Sequence, residues 1–176
     1  MNRSFLSLTL GALAVGVLAL SCATTPTGPA AAAAPPAPEN LAYGKYSTSN
    51  NHIFDFTADR ATDGDVLSYW EGAANSYPND YTLDLGQVQD IGRLVIRLNP
   101  KRIWQPRTQT FEILTSADGS NFSTLAASKD YDFDPIDSDN SVTIAVQAKT
   151  QYLRLRFTAN TEATGGQMAE LEVYGK

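Results

Sequence analysis

Three stretches of this chain place large apolar residues at every second position. Leu94, Ile96 and Leu98 fall on one side, with Arg93 and Arg97 on the other; Leu153, Leu155 and Phe157 alternate with Arg154 and Arg156; Val142, Ile144 and Val146 alternate with Thr143 and Ala145. Successive strand side chains point to opposite faces, so each stretch predicts a strand with one face in a core and one in water. Strands are expected at Ala42–Ser49, Tyr81–Leu85, Ile91–Leu98, Thr110–Ser116, Thr124–Asp130, Ser141–Val146, Tyr152–Thr158 and Ala169–Tyr174. Turn signals separate them at Leu85-Gly86-Gln87, Asp118-Gly119-Ser120, Asp134-Pro135 and Gly165-Gly166. No helical stripe exceeds a turn or two, and there is no internal repeat. Eight short antiparallel strands with one apolar face each predict an all-β fold, a two-layer sandwich or jelly roll.

The sandwich must hold without cross-links, because Cys22 is the only cysteine. Its position gives it another use. Arg3 is followed by an uncharged, mostly apolar run from Phe5 to Leu20, about 16 residues, long for a signal-peptide core and short for a bilayer span. The run ends in Leu18-Ala19-Leu20-Ser21-Cys22, with a small residue at the cut site. This motif resembles a bacterial lipobox, with Ala19 where a bulkier residue is usual. The resemblance implies a signal peptide over residues 1–21 and thioether lipidation of Cys22, which makes the chain an exported lipoprotein, membrane-anchored at the cell envelope. Ordinary secretion with a nearby cut, and an uncleaved anchor, are the alternatives. Ala23 rather than Asp follows the cysteine, which in a Gram-negative host implies the outer membrane.

Residues 22–39 are mostly Ala, Pro, Thr and Gly, and Glu39 is their only charge. Such a segment has too little to bury to offset its chain entropy, and its prolines stiffen it into a spacer. Residues 40–176 form one domain by size. The whole chain has 13 basic and 19 acidic side chains, net −6; without Arg3 the balance is −7. That charge argues against nucleic acid and against a polybasic membrane surface.

Several phrases follow one another in a recognisable order: Asn40-Leu41-Ala42, Ala61-Thr62-Asp63-Gly64-Asp65, Ser68-Tyr69-Trp70-Glu71, Tyr81-Thr82-Leu83-Asp84-Leu85-Gly86, Phe111-Glu112-Ile113-Leu114-Thr115-Ser116-Ala117-Asp118-Gly119-Ser120, Tyr152-Leu153-Arg154-Leu155 and Ala169-Glu170-Leu171-Glu172-Val173-Tyr174-Gly175. Together they resemble the discoidin family, which includes the coagulation-factor C domains and the family 32 carbohydrate-binding modules. The resemblance implies a galactose-binding-like sandwich that binds a ligand on loops at one end.

The stretch from Arg60 to Ser68 gathers carboxylates, a hydroxyl and a glycine in one short loop. A hard cation such as Ca²⁺ takes six to eight oxygens, many of them backbone carbonyls. The family pattern implies structural Ca²⁺, held by the side chains of Asp63, Ser68 and Glu170 and by backbone oxygens of Arg60, Asp65, Ser68 and Ala169. A plain Asp-Gly turn is the simpler alternative.

The ligand loops implied by the family are Ser49–Phe56, Glu71–Asp80, Asn99–Arg107 and the turn near Gly165–Gln167. They contain His52, Glu71, Tyr77, Asn79, Arg102, Trp104 and Arg107. Aromatic rings suit the C–H faces of sugars, and Arg, Asn, Glu and His suit their hydroxyls. Trp104, bracketed by Pro100 and Pro106, reads either as a ligand platform or as local packing; Arg102 and Arg107 read as ligand contacts or as solvated or Glu71-paired cations; His52 has no decisive context. Trp70 is expected in the core, and the acidic run from Asp130 to Asp139 is expected to be a solvated loop.

One histidine and no cysteine beyond Cys22 exclude most nucleophile–base pairs, and there is no glycine-rich phosphate loop. The expectation is a non-catalytic carbohydrate-binding module that holds a poly- or oligosaccharide. Adhesion or scaffolding, with a protein partner or a lipid headgroup on the same loops, is the competing class.

Overall fold

The computed structural model describes residues 37–176. The expected signal peptide (1–21), Cys22 and all but the end of the expected linker (22–39) lie outside the described residues. The domain has eight strands in chain order: β1 (Ser47–Ser49), β2 (Trp70–Glu71), β3 (Asn79–Arg97), β4 (Arg107–Ser116), β5 (Ser123–Phe133), β6 (Ser141–Asn160), β7 (Gln167–Met168) and β8 (Glu170–Gly175). The only helical piece among the described residues is a 3-10 turn, Ala58–Ala61.

The predicted all-β sandwich is the observed one, but its strands are assembled differently. Tyr81–Leu85 and Ile91–Leu98, expected as two strands, are the halves of β3. Ser141–Val146 and Tyr152–Thr158 are likewise halves of β6. The first half of β3 pairs with β1 and with the second half of β6, which pairs with β4, which pairs with β5. The second half of β3 lies between β8 and the first half of β6. Two bent strands therefore run through both layers. The bend in β3 falls at the register break between Asp84 and Gln89, where Gly86 has φ +82°. The expected Gly86 turn thus bends a strand instead of reversing the chain. A left-handed φ strains any residue with a Cβ, so Gly86→Ala should lower stability by about 1 kcal/mol, read as a shift in the urea midpoint.

The count returns to eight because β2 and β7, two residues each, form a small separate sheet. Neither is long enough to show a period. The expected first strand from Ala42 is turns as far as Gly44, and only Ser47–Ser49 pairs.

The apolar faces meet as the alternation requires. Tyr81, Leu83, Phe111, Ile113, Leu153, Leu155 and Phe157 from one layer face Leu94, Ile96, Ile144, Leu171 and Val173 from the other, all buried. Trp70 is fully buried, with ring centroids 5.5 Å from both Tyr81 and Phe157, as expected of a core residue. The acidic run is only partly a loop: Asp130 and Asp132 belong to β5 and accept hydrogen bonds from the Thr110 and Thr108 hydroxyls on β4, at 2.7 and 2.6 Å.

Candidate ligand rim and cation loop

The loops before β3, between β3 and β4, and before β7 come together at one end of the sandwich. Gln167, the first residue of β7, is the join. Its main chain exchanges hydrogen bonds with the Gln109 side chain: Gln109 Nε2 donates to Gln167 O at 3.0 Å, and Gln167 N donates to Gln109 Oε1 at 2.8 Å. Its own side chain accepts from Arg107 Nη1 at 2.5 Å and donates to Glu71 Oε2 at 3.0 Å. Arg107 and Glu71 are therefore linked through Gln167 instead of pairing directly.

Above this bridge lies an aromatic file. The Arg107 guanidinium sits 4.8 Å over the Trp104 ring. Trp104 meets Tyr69 edge-on at 4.7 Å, and Tyr69 stacks on Phe56 at 4.5 Å. Trp104 is half-buried and packs against the margin of the core, so the two sequence readings describe its two sides. The loop that presents it is pinned: Trp104 N donates to Lys101 O at 2.9 Å, and Asn140 Nδ2 donates to Asn99 O at 2.7 Å. Burial pushes the Arg107 guanidinium down from its ordinary range, while Glu162 and Glu71 pull it back. Burial, and then the Glu71 charge, raise the phenols of Tyr69 and Tyr77.

Of the expected ligand residues, Glu71, Trp104 and Arg107 belong to this constellation. Tyr77 is half-buried, with its hydroxyl enclosed and unpaired among the described residues. His52 and Arg102 are exposed on neighbouring loops, and neither makes a side-chain hydrogen bond or ion pair among the described residues.

Asn79 is a correction. It is fully buried and braces the rim from below. Its Nδ2 donates to Asn51 Oδ1 at 2.9 Å, Ser76 O at 3.2 Å and Ala73 O at 3.3 Å, and its Oδ1 accepts from Gly166 N at 2.9 Å. A Cβ at Gly72 would overlap the Asn79 side chain, which is why the loop carries glycine there. With every polar atom committed inside the protein, Asn79 has nothing to offer a ligand. Asn79→Ala should cost about 1–2 kcal/mol in thermal unfolding and loosen the loop from Gly72 to Pro78.

Sequence reasoning placed Phe56 and Gln167 in the expected ligand loops without singling them out, and missed Gln109 and Tyr69, which lie outside those loops. The Gly165-Gly166-Gln167 phrase was the one available signal, because the two glycines allow the close approach that puts Gln167 between the loops.

The second site lies at the Asp63 loop. Ser68 Oγ donates to Asp63 Oδ2 at 2.6 Å, and the carbonyls of Asp65 and Arg60 stand 3.2 and 3.3 Å from the same oxygen. One hydroxyl proton cannot serve three acceptors, so the loop holds an excess of oxygen lone pairs. Glu170 is 3% exposed and accepts from Gly64 N at 2.8 Å. Burial, with Asp63 nearby, pushes its carboxyl up to about 8. Asp65 directs its carboxylate to Leu67 N at 2.9 Å, which leaves its carbonyl as the oxygen on the Ser68 side. Among the described residues no three His, Cys, Asp or Glu side chains converge here; the set is carboxylates of Asp63 and Glu170, one hydroxyl and backbone carbonyls. These are hard oxygen donors of the kind Ca²⁺ takes, and they fit such an ion.

A model of the F5/8 type C domain matches residues 44–171. The chain belongs to this family. The F5/8 type C match spans both the cation loop and the rim. By structure, the domain is similar to CpGH89CBM32-5 from Clostridium perfringens, solved with GalNAc-β-1,3-galactose, with TM-score 0.67, 22% identity, 78% of this chain and 100% of that one. It is also similar to chitosan-binding module 1 of a chitosanase/glucanase from Paenibacillus sp. IK-5, with TM-score 0.61, 24% identity, 78% of this chain and 99% of that one. A family 89 glycoside hydrolase from Clostridium perfringens, solved with PUGNAc, aligns over 78% of this chain but 14% of its own length, with TM-score 0.64 and 25% identity. A sequence search of curated proteins gives no match.

Proposed function

We propose that this F5/8 type C domain binds a glycan without catalysis, on the rim formed by Trp104, Arg107 and Glu71, with the half-exposed ring of Tyr77 at its margin. The observation that carries the proposal is the Trp104 ring, half-exposed and held from two sides by Tyr69 and Arg107. A ring fixed in that way loses little freedom when a sugar face packs on it. Arg107 and Glu71 offer a donor and an acceptor whose positions are set by Gln167. His52 and Arg102, free on adjacent loops, are outer contacts. Support comes from similar modules that were solved with GalNAc-β-1,3-galactose and with chitotriose. Calorimetry with these two saccharides and a linear α-glucan tests the proposal, with Trp104→Ala as the control. Absence of heat from all three, or an unchanged affinity in the variant, sinks it.

Ca²⁺ belongs to the same proposal as a structural ion. Asp63, Ser68 and Glu170 would hold it with side chains, and Arg60, Asp65, Ser68 and Ala169 with backbone oxygens. The ion supplies positive charge that offsets the buried Glu170 carboxylate and ties the first loops to β8.

Adhesion through the rim is the second reading. Phe54 and Ile103 are exposed on two of its loops, by 83% and 80%, and Ile103 follows Lys101 and Arg102. Apolar tips beside basic residues suit a lipid headgroup layer or a protein partner. Flotation with anionic vesicles separates this reading from glycan binding. The envelope location rests on lipidation of Cys22. Cys22→Ser should move the protein from the membrane fraction to the soluble fraction, and retention in the membrane fraction would count against the anchor.

A further inference from the structure

The domain has a second concave site away from the rim. A groove of about 600 Å³ lies between the first turn of the domain and the bend in β3, lined by Glu39, Tyr43, Lys45, Gln87 and Gln89. Its floor is rigid. Asn40 Oδ1 accepts from Ala42 N at 3.0 Å and from Val173 N at 2.9 Å, and Leu41 N donates to Val173 O at 2.8 Å. Gly44 N donates to Thr62 O at 2.7 Å, which fixes the turn carrying Tyr43 and Lys45. The Tyr43 ring lies against Gly64, where an added Cβ would meet it at 2.7 Å, yet the residue remains 63% exposed. One part of the ring is thus braced and the rest faces solvent.

The polar lining differs from that of the rim. There, Glu71, Arg107 and Gln167 are committed to one another. Here the side chains of Glu39, Lys45, Gln87 and Gln89 have no hydrogen-bond or ion-pair partner among the described residues. Gln87 and Gln89 are two residues apart on one strand, and each amide offers both donors and an acceptor. Lys45 and Glu39 cancel, so the groove is formally neutral in a chain of net −6. An aromatic ring, two amides and balanced charge suit the C–H face and hydroxyls of a neutral pyranose. The volume is that of an ordinary small-ligand cleft.

We infer that this groove is a second saccharide site, for a neutral oligosaccharide segment. The ligand class rests on the glycan-binding reading of the rim, but the site itself shares no residue with it. From Asn79, which braces the rim, to Leu85, just before the groove, β3 runs roughly 20 Å at a strand rise of ~3.3 Å per residue. One disaccharide cannot fill both sites, whereas a long polymer can occupy both and gain avidity.

The test is calorimetric stoichiometry with GalNAc-β-1,3-galactose, chitotriose and maltohexaose. It compares the full domain, Trp104→Ala, and the Gln87→Ala/Gln89→Ala double variant, which alters only side chains without internal partners. Two sites on the parent and one on each variant are expected. In parallel, amide NMR should show the side-chain NH₂ signals of Gln87 and Gln89 shifting with saccharide in Trp104→Ala. A single site lost in Trp104→Ala, with those signals unmoved, overturns the groove and leaves the rim intact. A single site kept in Trp104→Ala and lost in the double variant supports the groove and overturns the rim. No binding of any of the three saccharides overturns both.

Discussion

Removing Ca²⁺ with a chelator should lower the stability of the domain by about 4 kcal/mol relative to a solution holding the ion at a thousand times its Kd. The loss should appear as a large drop in Tm and be reversed by added Ca²⁺. The physical reason lies in Glu170. Its carboxyl is buried and, without a cation, is pushed up to about 8, because ionising it there sets a negative charge beside Asp63 in a poorly solvated place. A divalent cation turns that repulsion into attraction. Glu170→Gln therefore gives a crossover. In chelator at pH 8.5 the variant should be at least as stable as the parent, because the neutral amide avoids the buried charge while still accepting from Gly64 N. With Ca²⁺ present the parent should be clearly the more stable. A variant that tracks the parent under both conditions would mean that no ion binds the loop, leaving the Asp63 segment as a simple turn.

The second large effect is on binding. Trp104→Ala should weaken glycan affinity about 100-fold, close to 2.7 kcal/mol, in the range of an aromatic hot spot. The ring contributes its own apolar area and is also the surface on which the Arg107 guanidinium lies, 4.8 Å from its centroid. Its removal leaves Arg107 held only through Gln167 and the Gln105 carbonyl. Trp104→Phe, which keeps a ring beneath Arg107, should recover much of the affinity. Tyr69 loses its edge contact in the alanine variant, so Tm must be measured beside affinity. An affinity that falls only as far as the folded fraction falls would assign Trp104 to packing.

Legibility in the sequence differed between the core and the rim for a physical reason. Inward-facing strand residues are chosen by burial, which acts on every second position, so Leu153, Leu155 and Phe157 declare their face. The two bends carry no such sign. Gly86 looks the same in sequence whether the chain reverses there or merely bends within β3. β2 and β7 are set by a contact between distant segments, Trp70 with Met168 and Glu71 with Gln167, and two residues have no periodicity to show. In the rim, the type of a polar residue does not say which way it faces. Asn79 and Asn75 both read as loop asparagines, yet one is enclosed with four hydrogen-bond contacts and the other is exposed.

By itself, then, the sequence determined the all-β class, the apolar faces, membership of the F5/8 type C family through its ordered phrases, and the oxygen-rich loop around Asp63. These depend on local pattern or on short motifs, both of which are linear properties. The tertiary structure alone decided how the half-strands join through both layers, that Asn79 braces the rim from inside, and that Gln167 couples Arg107 to Glu71. The first depends on which distant strands each half pairs with, and the other two are hydrogen bonds between segments far apart in the chain; all depend on where the folded backbone puts the groups.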